Sequence, residues 1–289
     1  MTGGPQIGML PDGRRLHLNH GPIDLIVEAF GAPDEIAAAY RQAAGRFPDI
    51  LPTLVEELTM LRKPVAEPRW QPRGPVARRM VAACWQHRAV FITPMAAVAG
   101  AVADEMLAAL CAGRALDKAY VNNGGDIAFH LSPGASLTAG LIADYRLPKI
   151  DATCALAFDQ PARGIATSGW QGRSFSLGIA DSVTVLADSG AAADAAATLV
   201  ANAVDIDHPA VKRVRARDVD PDSDLGDGLV TAEVGALDDD AIEAALESGV
   251  AVAETMARAG LVRAAVLVLQ QCFRVAGTMP AGLIAPRAA

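Results

Sequence analysis

Residues 191–204 read Ala-Ala-Ala-Asp-Ala-Ala-Ala-Thr-Leu-Val-Ala-Asn-Ala-Val, a run with strong helix propensity and almost no side-chain bulk. A helix of this kind packs closely against its neighbours and offers few polar groups. Asp194 and Thr198, four residues apart, then share one face of it. That pair either faces water or binds something, and the residues alone leave both readings open.

The same smallness runs through the chain. Of 289 residues 52% are hydrophobic but only 4% aromatic, so a sizeable core is expected from small-residue packing. A net charge of −8 supplies no basic surplus to neutralise phosphates, which argues against nucleic acid as the main partner. The start has no apolar run behind positive residues, so no signal peptide is expected. No run of eighteen residues escapes a charged or polar break, so no membrane span is expected either. Cys84, Cys111, Cys154 and Cys272 lie far apart among apolar neighbours, without Cys-x-x-Cys spacing; they read as buried thiols in a reducing cytoplasm.

Alternation over Arg14–Phe30 around His20-Gly21-Pro22 predicts a hairpin. Asp34 is expected to cap a helix ending before Pro48, followed by a short helix over Leu51–Leu61. Lys63–Arg78, with four prolines, reads as a loop. A helix over Pro75–Gln86 should lead into a buried strand, Arg88–Ile92, and Thr93-Pro94 should open a helix to about Cys111. Strands are expected at Lys118–Asn122, Ile127–Leu131, Ser136–Asp144, Cys154–Phe158, Ser174–Ile179 and Ser182–Leu186. Beyond the Ala-rich helix, Asp205–Gly235 is polar, Asp238 caps a long helix, and Ala264–Val275 reads as one last buried strand. Hairpin-paired strands interrupted by helices make the class α+β, with mixed and antiparallel sheets and packed helices. The whole chain, 1–289, is read as a single domain or two intimately packed halves, with its motifs between about 90 and 204.

Asn122-Asn123-Gly124-Gly125-Asp126 is a turn that could equally cradle a phosphate or a ring carbonyl. Thr167-Ser168-Gly169 offers two hydroxyls, or a solvated loop. Asp194 and Thr198 suit one edge of a Mg²⁺ site but are too few to close it. His17 and His20 lack further ligands, and Asp218–Asp227 lacks the closing glutamate of a calcium loop and reads as solvated. The basic run Lys212–Arg217 is expected to pair with those aspartates.

Taken in order, Asn122–Asp126, Ala166–Gly169, Ser182–Val185 and Ala193–Thr198 resemble the successive motifs of the ApbE family, loosely over the whole chain. That family comprises Mg²⁺-dependent FAD:protein FMN transferases of α+β, T-fold-like architecture. The resemblance implies that Asp194 and Thr198 ligate Mg²⁺ and carry the catalytic role. It implies that Asn123, Gly124, Gly125, Asp126, Thr167, Ser168 and Gly169 line a site for FAD or a related nucleotide. The family's Gly-Gly-x-x-Lys-Gly segment falls near Pro94–Ala101, which brings in Met95 and the carbonyls of Ala96–Gly100, although the lysine is absent. The insert ending in His-x-x-Asp-Pro-x-x-Gly is also missing between Gly169 and Ser182, and Asp181 stands where it would end. Asp181 is therefore a third catalytic candidate, or a strand cap. These departures fit a shorter, uncharacterised cytoplasmic branch. The chain is then a flavin-nucleotide transferase or hydrolase, or a flavin- or heterocycle-binding protein that has lost the chemistry. No membrane partner is expected, and a homo-oligomer is left open.

Overall fold

The computed structural model describes residues 3–141 and 152–278. They fall into two compact units. The first comprises Met1–Leu137, Leu156–Ala166 and Asp188–Asp194; the second comprises Thr138–Ala155, Thr167–Ala187 and Ala195–Ala289. The class is α+β, as the alternation of hairpins and helices implies.

In the first unit a meander of strands β1 (Gln6–Met9), β2 (Leu16–His20) and β3 (Ile23–Gly31) precedes three helices, α1 (Pro33–Arg46), α2 (Ile50–Leu61) and α3 (Pro75–Trp85). A 3-10 turn, Pro94–Ala97, runs into α4 (Val98–Cys111), and the hairpin of β4 (Leu116–Asn123) and β5 (Asp126–Leu131) follows. All pairings from β1 to β5 are antiparallel, and β3 lies beside β4, so the strand before the helices pairs with the strand after them. A further strand, β8 (Gly164–Ser168), pairs antiparallel with β5 through Ile127↔Ile165 and Ala128↔Gly164. Leu18, Leu25, Val27 and Val121 are fully buried on one face, opposite Ala101, Val102, Met106 and Leu110 of α4. Each of the Leu, Val and Met side chains among them contributes about 1.5–3 kcal/mol on burial.

The second unit repeats this plan. Strand β9 (Ser182–Ala187) precedes helix α5 (Gly190–Ala203) and, later, α7 (Asp239–Arg258). The hairpin of β12 (Ala264–Leu269) and β13 (Cys272–Gly277) closes it, with β9 antiparallel to β12. Every residue of β9 and β12 is buried; β12 accordingly reads as an unbroken apolar run, and β9 as a β-branched one with Ser182 and Thr184 buried in it. Strands β6 (Ser136–Leu141) and β7 (Ala152–Ala157) form one small sheet, and β10 (Val211–Arg215) and β11 (Leu229–Val234) another, with the short helix α6 (Ala216–Val219) between the latter two. Helix α5 begins in the first unit with Gly190–Asp194 and continues into the second.

Several expectations change. Asp34 does not cap α1: the helix starts at Pro33 after Ala32, without a side-chain cap, and Asp34 sits inside the first turn. Arg88–Ile92 is no strand. His87 and Val90 close turns on the end of α3, and Val90 and Phe91 are exposed. Ser174–Ile179 is not extended, because its backbone bonds go to other partners: Leu177 N–H to Asn202, Ile179 N–H to the Val204 carbonyl, and the Ser176 carbonyl to Thr231 N–H. The polar stretch Asp205–Gly235 hides β10 and β11, and β1 was not foreseen. Among the described residues of the basic run, Arg217 pairs with the acidic loop at Asp227, whereas Lys212 pairs with Glu233 and Arg213 with Asp205. Positions 142–144 of the strand expected at Ser136–Asp144 lie outside the described residues. Cys84 and Cys154 are buried, whereas Cys111 and Cys272 are half-buried, and none of the four is in a disulfide among the described residues.

By length and composition Pro94–Cys111 could cross a membrane. It carries Asp104 and Glu105, however, and its apolar residues fill the core of the first unit.

The last apolar run is two strands, not one. Gln270 and Gln271 turn the chain with φ of 45° and 69°, the left-handed pair that a two-residue hairpin demands. Gln270 is held there by its side chain, which accepts from Leu237 N–H at 3.1 Å and donates to the Gly235 carbonyl at 2.7 Å. Gln271 is exposed and has no such hold. Replacing Gln271→Gly should raise stability by about 0.5–1 kcal/mol in urea unfolding, since a left-handed residue with a Cβ is strained. Gln270→Gly should lower it despite the same φ relief.

Candidate functional site

Two helices in the first unit start with matching sequences: Gly100-Ala-Val-Ala-Asp104 in α4 and Gly190-Ala-Ala-Ala-Asp194 in α5. Each aspartate caps the other helix. Asp104 accepts from Gly190 N–H at 2.8 Å and Ala191 N–H at 2.9 Å. Asp194 accepts from Gly100 N–H at 3.0 Å and from Ala99 N–H. These N–H groups belong to the first turns, where no helical carbonyl can take them and the dipole favours an anion. The glycines make the exchange possible. A Cβ on Gly100 would lie 2.1 Å from the Gly190 carbonyl oxygen, and one on Gly190 would lie 2.8 Å from the Gly100 oxygen.

The end of the β4–β5 hairpin closes on the same place. Gly124 and Gly125 turn it with φ of 65° and 114°, and Asn122 Oδ1 accepts Gly125 N–H at 2.8 Å. Asn123 is buried at 4% exposure, and its Nδ2 donates to the Ala99 carbonyl at 3.1 Å. Among the described residues its buried Oδ1 has no hydrogen-bond partner. Asp126, paired across the turn with Asn123, lies close enough to Asp194 to act on its charge.

Burial first, then the charge of Asp126 and, further off, Asp104, push the Asp194 carboxyl well above its ordinary range against the pull of two N–H groups. Asp104 is also raised by burial, but Ala191 and Gly190 N–H, Arg79 and Ser189 oppose this. One carboxylate is thus well served, and the other is held near a second negative charge.

The foreseen residues are not all alike. Asn123, Gly124, Gly125, Asp126 and Asp194 belong to the first unit and surround the start of α4. Met95 is half-buried in the 3-10 turn ahead of it. From Ala99 and Gly100, N–H groups face Asp194, where carbonyl ligands were expected, because the carbonyls at a helix start point down the helix. Thr198 follows Asp194 by one turn of α5 and is half-buried. In the second unit Thr167 Oγ1 lies 2.8 Å from Thr184 Oγ1, and Ser168 is half-buried. Gly169 is required by packing, since a Cβ would meet the Asp181 carbonyl oxygen at 2.3 Å. Asp181 ties its own unit together: it accepts from Trp170 Nε1 at 3.2 Å, Gln171 Nε2 at 3.4 Å and Gln270 N–H at 2.6 Å. Asp104 was missed, although the shared Gly-x-x-x-Asp spacing was there to be read.

Among the described residues no three His, Cys, Asp or Glu side chains converge to hold a metal by themselves. His17 instead pairs with Asp24 at 2.5 Å. A hard cation at Asp194 would take Asp126 and the unpartnered Asn123 Oδ1 as oxygen donors, and those residues fit it.

The raised carboxyl sets a pH sign. The folded protein keeps the Asp194 proton where the unfolded chain has lost it, so stability falls as pH rises from about 4 through the folded pKa. Metal-free Asp194→Asn should flatten that fall in a Tm-versus-pH series. Asp104→Ala should cost about 1–2 kcal/mol at neutral pH by baring two helix N–H groups, and Gly100→Ala about 3 kcal/mol through overpacking.

A family model described as AbpE bacteria matches residues 7–279. UPF0280 proteins of Methanothermobacter thermautotrophicus and Methanococcoides burtonii are each 38% identical, over 137 and 142 residues, 47% of this chain in both cases. The matches span 51% and 55% of those relatives, so the chain covers about half of their length. A mutant of the flavin transferase ApbE from Vibrio cholerae aligns over 94% of this chain and 95% of its own, at 14% identity and a TM-score of 0.42. With nearly its whole length matched by the family model, this chain belongs to the bacterial AbpE family.

Proposed function

We propose that the protein is a Mg²⁺-dependent flavin-nucleotide transferase or hydrolase that cleaves FAD, with FMN passing to a protein acceptor or to water. One observation carries the proposal: the half-buried Asp194 carboxyl feels the charge of Asp126, and Asn123, bonded to the same Ala99 whose N–H Asp194 accepts, keeps a buried amide oxygen without a partner among the described residues. A buried carboxylate repelled by its neighbour holds either a proton or a cation. Asp194, Asp126 and Asn123 would hold the metal. When bound, Mg²⁺ supplies charge neutralisation on pyrophosphate oxygens and on the leaving group.

The chain's own residues have separate tasks. Ala99 and Gly100 N–H orient the Asp194 carboxylate, so that it does not rotate when its charge is called on. Asn123 Nδ2, anchored on the Ala99 carbonyl, fixes which way its Oδ1 is presented. The Gly124-Gly125 turn carries no side chains, which lets a bulky planar ligand approach the backbone.

The test is to incubate the protein with FAD and Mg²⁺, with and without acceptor protein, and to follow AMP and FMN. Wild type should turn over, and Asp194→Ala should fall by about 10²-fold or more while remaining folded. Absence of turnover above the variant's background would sink the proposal. Mg²⁺ with FAD should also raise Tm more than either alone, and Asp194→Ala should abolish that gain.

A second reading is favoured by Met95 and its neighbours, where the family motif carries a lysine and this chain has none. On it, the protein binds flavin or a related heterocycle without cleaving it. Native mass spectrometry of freshly purified protein would then find intact ligand, with no AMP released.

A further inference from the structure

Away from the aspartates, the first unit holds a groove of about 210 Å³ lined by Met60, Lys63, Glu67, Trp70, Trp85 and Pro94, among others. Residues 62–88, which supply most of it, contain seven Lys and Arg and one acidic residue, Glu67, in a chain whose net charge is −8. Within that stretch Arg79 is paired with Glu105, and Arg78 is bonded to the Arg73 carbonyl. Lys63 is exposed and has no ion pair among the described residues. Arg69 and Arg88 lie over the Trp85 ring at 5.4 and 5.0 Å, and Arg88 reaches Glu67 only at 3.8 Å between exposed groups, an interaction worth little.

The apolar side of the groove is open too. Val65, which lines the groove, donates its N–H to the Ile92 carbonyl, and Val90 and Phe91, just before Ile92 in the chain, are 57% and 52% exposed. Large apolar side chains standing out beside a basic rim mark an interaction surface rather than ordinary solvated surface.

We propose that this groove docks an acidic, amphipathic polypeptide segment of a partner protein, its apolar side chains between Trp70 and Trp85 and its carboxylates on Lys63, Arg69 and Arg88. Charge complementarity against a rim so unlike the rest of the chain selects an acidic partner. Shape selects a peptide over a membrane, because the indoles line a concavity instead of projecting from the surface. Nucleic acid fits less well, since two guanidiniums already lie over the Trp85 ring on which a base would stack. The proposal is separate from the flavin chemistry, and its test uses none.

The probe is a fluorescent synthetic peptide in which glutamates flank a leucine–phenylalanine cluster, titrated by polarisation at two salt concentrations. Its counterparts are the same peptide with lysines, a thymidine oligonucleotide, and phosphatidylglycerol vesicles. The acidic peptide should bind, weaken with salt, and lose affinity about tenfold or more against Lys63→Glu/Arg69→Glu. Trp70→Ala should weaken binding as well, with circular dichroism confirming its fold. The exposed single change Lys63→Glu keeps the test decisive if that variant unfolds. Binding unchanged by Lys63→Glu, equal binding of the lysine peptide, or tighter binding of the oligonucleotide or the vesicles would overturn the proposal.

Discussion

Two helix starts, each capped by an aspartate from the other helix, fix the first unit around its candidate site. Gly100 and Gly190 let the backbones touch, and Asp104 and Asp194 then reach the N–H groups that no carbonyl of their own helix can satisfy. Neighbouring residues fall into place from there. Ala99, held by Asp194, presents its carbonyl to Asn123, and Asn123 ends the strand whose turn leads to Asp126. Gly164 packs against the Ser189 carbonyl, 2.1 Å from where a Cβ would stand, which seats the start of α5. A methyl group on any of these three glycines would push apart segments that the site needs together.

Much of the fold was legible because its signals are local. The β2–β3 hairpin, α2, α3, α4 and the buried β9 follow from periodicity, proline placement and β-branching. The misses share a cause. Arg88–Ile92 has strand composition, but its backbone is bent into turns on the end of α3 and its last carbonyl is taken by Val65 N–H, and Ser174–Ile179 spends its backbone bonds on the end of a helix and a distant strand. The turn at Gln270-Gln271 lacks glycine because side-chain bonds to Gly235 and Leu237 hold a conformation that glycine would otherwise supply. In each case a tertiary partner overrode the local preference, and no window of sequence contains that partner.

The candidate site was legible in its residues but not in their arrangement. Asn123, Asp126 and Asp194 could be named from motif order, yet only the fold shows that they meet at the start of α4. It also divides the aspartates by task. Asp181, which could have stood in for a lost insert, is taken up by Trp170, Gln171 and the Gln270 backbone. Asp104, unnoticed in the sequence, serves the same geometry as Asp194.

That likeness gives a control built into the molecule. Asp104 and Asp194 have matching sequence settings and both cap helix starts, so helix geometry alone would treat them alike. A helix start gives a carboxylate about 0.3–1 kcal/mol, or about 2 kcal/mol when partly buried. Desolvating an ion costs several kcal/mol even after relaxation. Asp104 has Ser189 and Arg79 to add to its N–H bonds. Asp194 has Asp126 facing it instead. The N–H groups of Ala99 and Gly100 cannot cover both the desolvation and the repulsion, so capping accounts for the place of Asp194 but not for its charge. Either a proton on Asp194 or, in the function proposed above, a cation completes what the cap leaves undone.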